Sequence, residues 1–176
     1  MCDFALLLLR VVTGGLLAGH GAQKLFGWFG GHGLAGTAGF FESIGLRPGR
    51  AMALGAGAAE FVGGLLLVVG LVTPAAAALL FAVMFSAIWL VHRTNGLWAT
   101  NGGFEYNLVL LAVAFAVTAI GAGSWSLDNI LGLDADGAGW ALAALAAGLA
   151  GAIGAVAVGN RQAARASAGR ATPSSA

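Results

Sequence analysis

Charge is scarce in this chain. Eight Lys and Arg with seven Asp and Glu amount to 9% of its 176 residues, where a soluble globular domain carries about 25%. So few charges cannot cover a water-facing surface, and need not if lipid covers most of it. Cysteine is almost absent too: Cys2 stands alone, which excludes an intramolecular disulfide, a cysteine-based metal site and an iron–sulfur motif. No apolar signal region precedes Cys2, which disfavours a lipoprotein. The first apolar run is long and lacks a basic flank, so it does not read as a cleavable signal. The bases are few and form no repeating patch, so nucleic acid is not expected as a partner. Period-two alternation is missing from the apolar segments. Of the structures that satisfy the backbone in lipid, this leaves helices rather than a closed barrel.

Long apolar runs are what the chain has instead. Its hydrophobic fraction is 59% and its mean hydropathy +0.90. About 20 helical residues cross the roughly 30 Å hydrocarbon core. Five segments qualify, over residues 4–24, 51–72, 75–91, 106–120 and 138–158. The fold class is therefore all-α, a polytopic transmembrane helix bundle with four spans as a minimum and five by this count. Residues 1–132 read as a four-helix bundle and 133–159 as an additional transmembrane helix. The Ala, Ser, Arg and Pro of 160–176 have little to bury and read as a disordered cytoplasmic tail. The charges orient the bundle. Lys24, Arg47 and Arg50 flank the first loop, Arg93 begins the third, and Arg161, Arg165 and Arg170 lie in the tail. The other side holds Asp3, Asp128, Asp134 and Asp136 and no Lys or Arg. The positive-inside rule puts the N-terminus outside and the C-terminus in the cytoplasm, across a plasma membrane. Membrane lipid is then the chain's first partner, and the tail arginines can also touch anionic headgroups.

Residues 25–49 form an odd first loop, with Phe26, Trp28, Phe29, Phe40 and Phe41 among eight glycines. It is too apolar for free solution and reads as lying in the interface or dipping back into the bundle. Gly31 to Gly36 matches the dinucleotide-binding spacing, but no strand precedes it, so that reading fails. Ionisable residues inside spans are costly and face a bundle interior or a cavity. Arg10 lies about 9 Å from the outer end of the first helix and Glu60 about 13 Å from the inner end of the second. Similar depths suggest an intramembrane polar pair, Arg10 with Glu60, which is either a structural lock or part of a substrate or proton route. A second cluster falls toward the cytoplasmic side. His20 and Lys24 share a helix face, Gln23 borders it, and His92 and Glu105 arrive from the third and fourth helices. Interfacial anchoring and capping would explain these residues. They also suit a quinone headgroup, which needs donors to its carbonyl oxygens, a proton route and aromatic walls such as Trp28, Phe29, Trp89 and Trp98. Haem held by His20 and His92 is disfavoured, and no diagnostic metal-ligand spacing occurs.

Several ordered motifs bring a family into view. They are Arg10, then His20 followed by Gly21-Ala22-Gln23-Lys24-Leu25, the Gly-rich first loop, Ala59-Glu60-Phe61-Val62-Gly63-Gly64 and Leu71-Val72-Thr73-Pro74. Gly102-Gly103-Phe104-Glu105-Tyr106-Asn107 and Gly121 to Asp128 follow. Over about residues 4 to 132 the chain resembles the DoxX family of small bacterial membrane proteins. That family is usually four-helix, so the resemblance implies a DoxX-like core with the fifth span as an addition. It also implies a relation to the membrane subunit of a thiosulfate:quinone oxidoreductase. The expected role is then a membrane subunit of a redox system that binds quinone or docks a redox enzyme at its cytoplasmic side, with site positions at Arg10, His20, Lys24, Glu60 and Glu105. With no flavin fold or cysteine pair, electrons must come through a bound cofactor or a partner protein. A small-solute or proton transporter and a purely structural anchor of a larger complex remain open, as does a homo-oligomer.

Overall fold

The computed structural model describes residues 2–133 and 135–171, with side chains described as far as residue 162. Seven α-helices run in the order α1 Cys2–Phe26, α2 Gly33–Ser43, α3 Gly49–Val69, α4 Thr73–Ala87, α5 Glu105–Ile120, α6 Leu127–Leu131 and α7 Ala138–Ala171. Four helical stretches are long and apolar enough to cross a bilayer: Cys2–Phe26, Gly49–Val69, Thr73–Asn95 and Ala138–Gln162. The fifth, α5, has 16 residues, about 24 Å of helix. All five expected segments are helical, four of them of spanning length and α5 shorter.

The bundle is inverted relative to a water-soluble one. Arg10 and Glu60 are buried, whereas Leu8, Val12, Leu16, Val109, Leu149 and Ile153 are exposed on the outside. Contiguous apolar surface of that kind needs lipid to cover it. The interior is apolar as well, built on Leu17, Leu67, Leu80, Phe81, Leu110 and Val117.

Small residues set how closely the helices approach. α1 and α3 form an antiparallel pair that touches backbone to backbone. A Cβ on Gly14 would lie 2.5 Å from the Gly64 carbonyl oxygen, and one on Gly64 would lie 2.5 Å from the backbone of both Gly14 and Ala18. Small-residue contacts at this spacing are a standard route to tight packing in lipid, where no hydrophobic force pulls helices together. α7 packs on α4 and α5, and Gly148 of α7 lies against Phe81. The fifth span is therefore a full member of the bundle.

The α1–α3 register corrects the expected Arg10–Glu60 pair. Gly14 meets Gly64 and Val68, and Gly21 meets Gly57 and Phe61. The ends of the two helices are not level: α1 overshoots α3. Arg10 consequently meets the terminus of α3 at Gly70, and Glu60 falls beside the other end of α1. Gly70 closes α3 in the left-handed conformation, at φ 63, and any Cβ there would collide with the Arg10 guanidinium.

Two further differences concern segments read as irregular. The first loop contains α2, which packs on α3 and α1. Its glycines, at 33, 36 and 39, disfavour helix in isolation, and packing overrides that preference. The expected tail begins as helix, because α7 continues to Ala171. Ala, Arg and Gln are good helix formers, and extending an existing helix needs no new nucleus. Residues 172–176, and Asp134 of the expected outer loop, lie outside the described residues.

The connections at the N-terminal end converge on Asp128, which is 6% exposed. Its Oδ1 accepts from the Val72 backbone N–H at 2.6 Å, and its Oδ2 accepts from Thr73 N–H at 3.0 Å and Thr73 Oγ1 at 2.6 Å. This carboxylate caps α4 from a distance in sequence, in the position where a negative charge complements the helix dipole. It also holds Val72 in the left-handed region, at φ 43, which a β-branched residue adopts only under constraint. Asp128→Ala should destabilise the protein by roughly 1–3 kcal/mol, the cost of leaving buried donors unpaired. Thermal unfolding in detergent micelles would measure it, and Asp128→Asn should lose less.

Candidate functional site

A cavity of about 370 Å³ lies between α2, α3, α4 and α7, within the size range of small-molecule sites. Its walls are mostly apolar, including Phe40 and Phe41 from α2, Met52 and Ala56 from α3, Val83 and Ala87 from α4, and Val156 from α7. Lys24 and Glu60 form one edge, with Ser86 and His92 the other polar groups on the lining.

Lys24 sits in the last turn of α1, and Glu60 lies eleven residues into α3, about 16 Å from its start. Lys24 Nζ donates to Glu60 Oε2 at 2.5 Å. The glutamate side chain is 4% exposed and the lysine 25%. Among the described residues this is the one ion pair within bonding distance. A carboxylate at such depth needs this partner, because an isolated charge there would be far from water. Lys24 lies within a turn of the helix end, so its long stem can carry the ammonium in from the edge.

α4 does not end as an α-helix. Ile88–His92 form a π-helical turn, and Leu90, Val91 and His92 of this turn line the cavity. Such turns occur mostly singly and often at functional sites. His92 Nδ1 lies 2.7 Å from the Gly102 carbonyl oxygen. A carbonyl only accepts, so the Nδ1 proton is committed and the other ring nitrogen is left for a ligand.

The structure divides the residues grouped in the sequence. Lys24 and His92 reach the cavity. His20 is half-buried on α1, with Nδ1 3.1 Å from Gln23 Oε1 and its ring 6.2 Å from that of Tyr106. Glu105 faces its own loop, where its Oε2 accepts from the Ala99 backbone N–H at 2.9 Å. Trp28 lies against Phe26, the ring centroids 4.9 Å apart and the planes tilted by 40°, and is exposed, as are Phe29, Trp89 and Trp98. These aromatics form an outer belt, and the cavity's aromatic wall is Phe40 and Phe41. Arg10 stands apart at the other end of the bundle. It is fully buried, and its Nη2 donates to the Trp125 carbonyl at 2.5 Å.

Ser86 was not singled out in the sequence, and Phe40 and Phe41 were read only as part of a loop lying in the interface or dipping back into the bundle. The fold of α2 is what brings both rings to the cavity. Asp128 was visible as an outer-side charge and as the end of the Gly121-to-Asp128 motif, not as a cap. Its partners are 55 and 56 residues away, beyond any local pattern. Among the described residues, no three His, Cys, Asp or Glu side chains come together as a metal site would require.

A bundle with charged groups inside, leucines outside and an interhelical cavity defines a multi-pass α-helical membrane protein. The chain belongs to the DoxX family, whose profile matches residues 5–93. That segment spans α1 to the π-helical turn and so contains Lys24, Phe40, Glu60 and His92. It stops short of the Gly102 and Gly121 motifs read in the sequence. A relative from Bacillus subtilis (strain 168), described as "Putative oxidoreductase CatD", is 34% identical over 116 residues, covering 66% of this chain and 80% of that protein. No solved structure matches the chain.

Removing one member of the buried pair strands the other. Lys24→Met should cost about 3 kcal/mol, the lower end for breaking a buried pair, because the lysine is partly exposed. Lys24→Met combined with Glu60→Met should cost less than the single change. Unfolding of the single and double variants in the same detergent gives the comparison.

Proposed function

We propose that this protein is the membrane-embedded component of a redox system and that its cavity binds the headgroup of a quinone. The observation that carries the reading is the Lys24–Glu60 pair on the lining of a mostly apolar cavity. An ammonium donates to a ring carbonyl, a carboxylate can accept or return a proton, and Phe40 and Phe41 offer flat apolar faces. His92, with its Nδ1 proton occupied, presents a second group able to exchange a proton. Membership of the DoxX family and likeness to a relative described as an oxidoreductase support a redox role. Protein side chains of this kind carry no electrons, so a quinone held here would be reduced or oxidised through a partner protein.

The partner docks at the end that carries Lys24, Arg47, Arg50 and Arg93. This end faces the cytoplasm of a bacterial cell, and the end with Asp3, Asp128 and Asp136 faces outward. The exposed Trp89 and Trp98, with Arg93 stacked 4.1 Å over Trp89, sit at headgroup depth on the docking side.

Two measurements test this. Protein extracted gently from its own membranes should retain near-stoichiometric quinone in the lipid extract. Lys24→Ala or Glu60→Ala should lower retention at least tenfold, and Trp28→Ala, outside the cavity, should not. Retention equal in all four proteins would remove the cavity from the account. For orientation, single cysteines at Ala135 and Thr100 in a Cys2→Ser background can be treated with a membrane-impermeant maleimide on intact cells. Ala135→Cys should label at once and Thr100→Cys only after permeabilisation, and the reverse pattern would invert the topology.

A further inference from the structure

We propose that the cavity is filled from the bilayer, through a seam between α2 and α7, and that its ligand is a lipid-soluble molecule with one polar end and a long apolar tail. The proposal rests on the quinone reading for the polar end and adds the tail, the route and the residues that admit it.

The cavity's polarity is lopsided. The polar lining groups, Lys24, Glu60, Ser86 and His92, come from α1, α3 and the end of α4, and α7 contributes only Gly151, Ala155 and Val156. A ligand that is polar all round would leave its far side unpartnered against carbon, a costly burial. One with a polar head and an apolar remainder matches the lining.

The route follows from packing. α2 packs on α3 and α1, and α7 packs on α4 and α5, with little contact between α2 and α7 themselves. Phe40 on one side of this gap and Gly151 and Ala155 on the other all line the cavity, and all three are exposed. Lining residues that remain exposed mark the mouth. The mouth lies at membrane depth. The first charged residue beyond the mouth on α7 is Arg161, so Ala155 lies about 9 Å and Gly151 about 15 Å deeper along the helix. What enters there comes from hydrocarbon and not from water. The α7 side of the mouth is kept low: Gly151 has no side chain, and Ala155 has a single methyl.

The test uses protein in lipid nanodiscs and two probes, decylubiquinone and its ring without the tail, 2,3-dimethoxy-5-methyl-1,4-benzoquinone. Binding is read from quenching of tryptophan fluorescence. The unaltered protein should bind the tailed probe at least tenfold more tightly than the bare ring, referred to concentration in the membrane. Ala155→Phe should weaken the tailed probe tenfold or more and leave the ring within twofold. Ala155→Leu, a smaller plug on the lipid-facing side, supplies the same comparison if the phenylalanine variant does not fold. Equal binding of the tailed probe by both variants and the unaltered protein would overturn the portal while leaving the headgroup site intact. Failure of both probes to bind the unaltered protein would overturn the quinone reading itself.

Discussion

The approach of α1 to α3 at backbone contact fixes the rest of the molecule. Gly14, Gly21, Gly57 and Gly64 leave no side chain between the two helices, and the register they impose decides which charges meet. It carries Arg10 past the end of α3 to the Trp125 carbonyl, and it sets Lys24 beside Glu60. In lipid, no hydrophobic force would restore a slipped pair, so close packing and the hydrogen bonds it permits must hold the position. A slip by one turn would separate Lys24 from Glu60 and lift Arg10 from its carbonyl together. The buried Arg10 and the half-buried Lys24, far apart in the bundle, thus answer to one interface.

The number, order and approximate limits of the membrane spans were legible in the sequence, because uninterrupted apolar length is a property of the chain alone. The relative height of the spans was not. Depth counted from each helix end assumed level ends, and that assumption joined Arg10 to Glu60. The site shows the same division. Lys24 and Glu60 were marked because charge is expensive at those positions, whatever the fold. Their pairing with one another depended on helix register, which only the packed structure supplies. Glu105 and Trp28 were marked by chemical type and proximity in depth. Glu105 is taken by a loop amide, and Trp28 by the outer aromatic belt. Phe40 and Phe41 were read as part of a loop lying in the interface or dipping back into the bundle, and nothing in the glycine-rich sequence announced the helix that brings them to the cavity.

Three carboxylates of this bundle each have a partner of their own, whereas buried Arg10 keeps its Nε and Nη1 without one. Asp128 is matched by two backbone amides and a hydroxyl, Glu60 by an ammonium, and Glu105 by a loop amide. Lys24 and Glu60 differ from the others in bordering an open volume. Their interaction serves the fold when the cavity is empty and remains accessible to whatever enters. That is the physical sense in which a structural pair and a binding group can be the same residues.

The π-helical turn at Ile88–His92 has a consequence for how length variation would act in this chain. A π turn accommodates one more residue than the α-helix around it, so it behaves as an insertion absorbed without breaking the rod. The same residues wound as an ordinary α-helix would rotate everything beyond the turn by about 100°. His92 would swing off the cavity wall, and Arg93 would leave the face of Trp89. The wide turn therefore keeps the loop that follows in phase with α4. Chains with and without the extra residue would share a bundle and present the same face to the cavity beyond the turn.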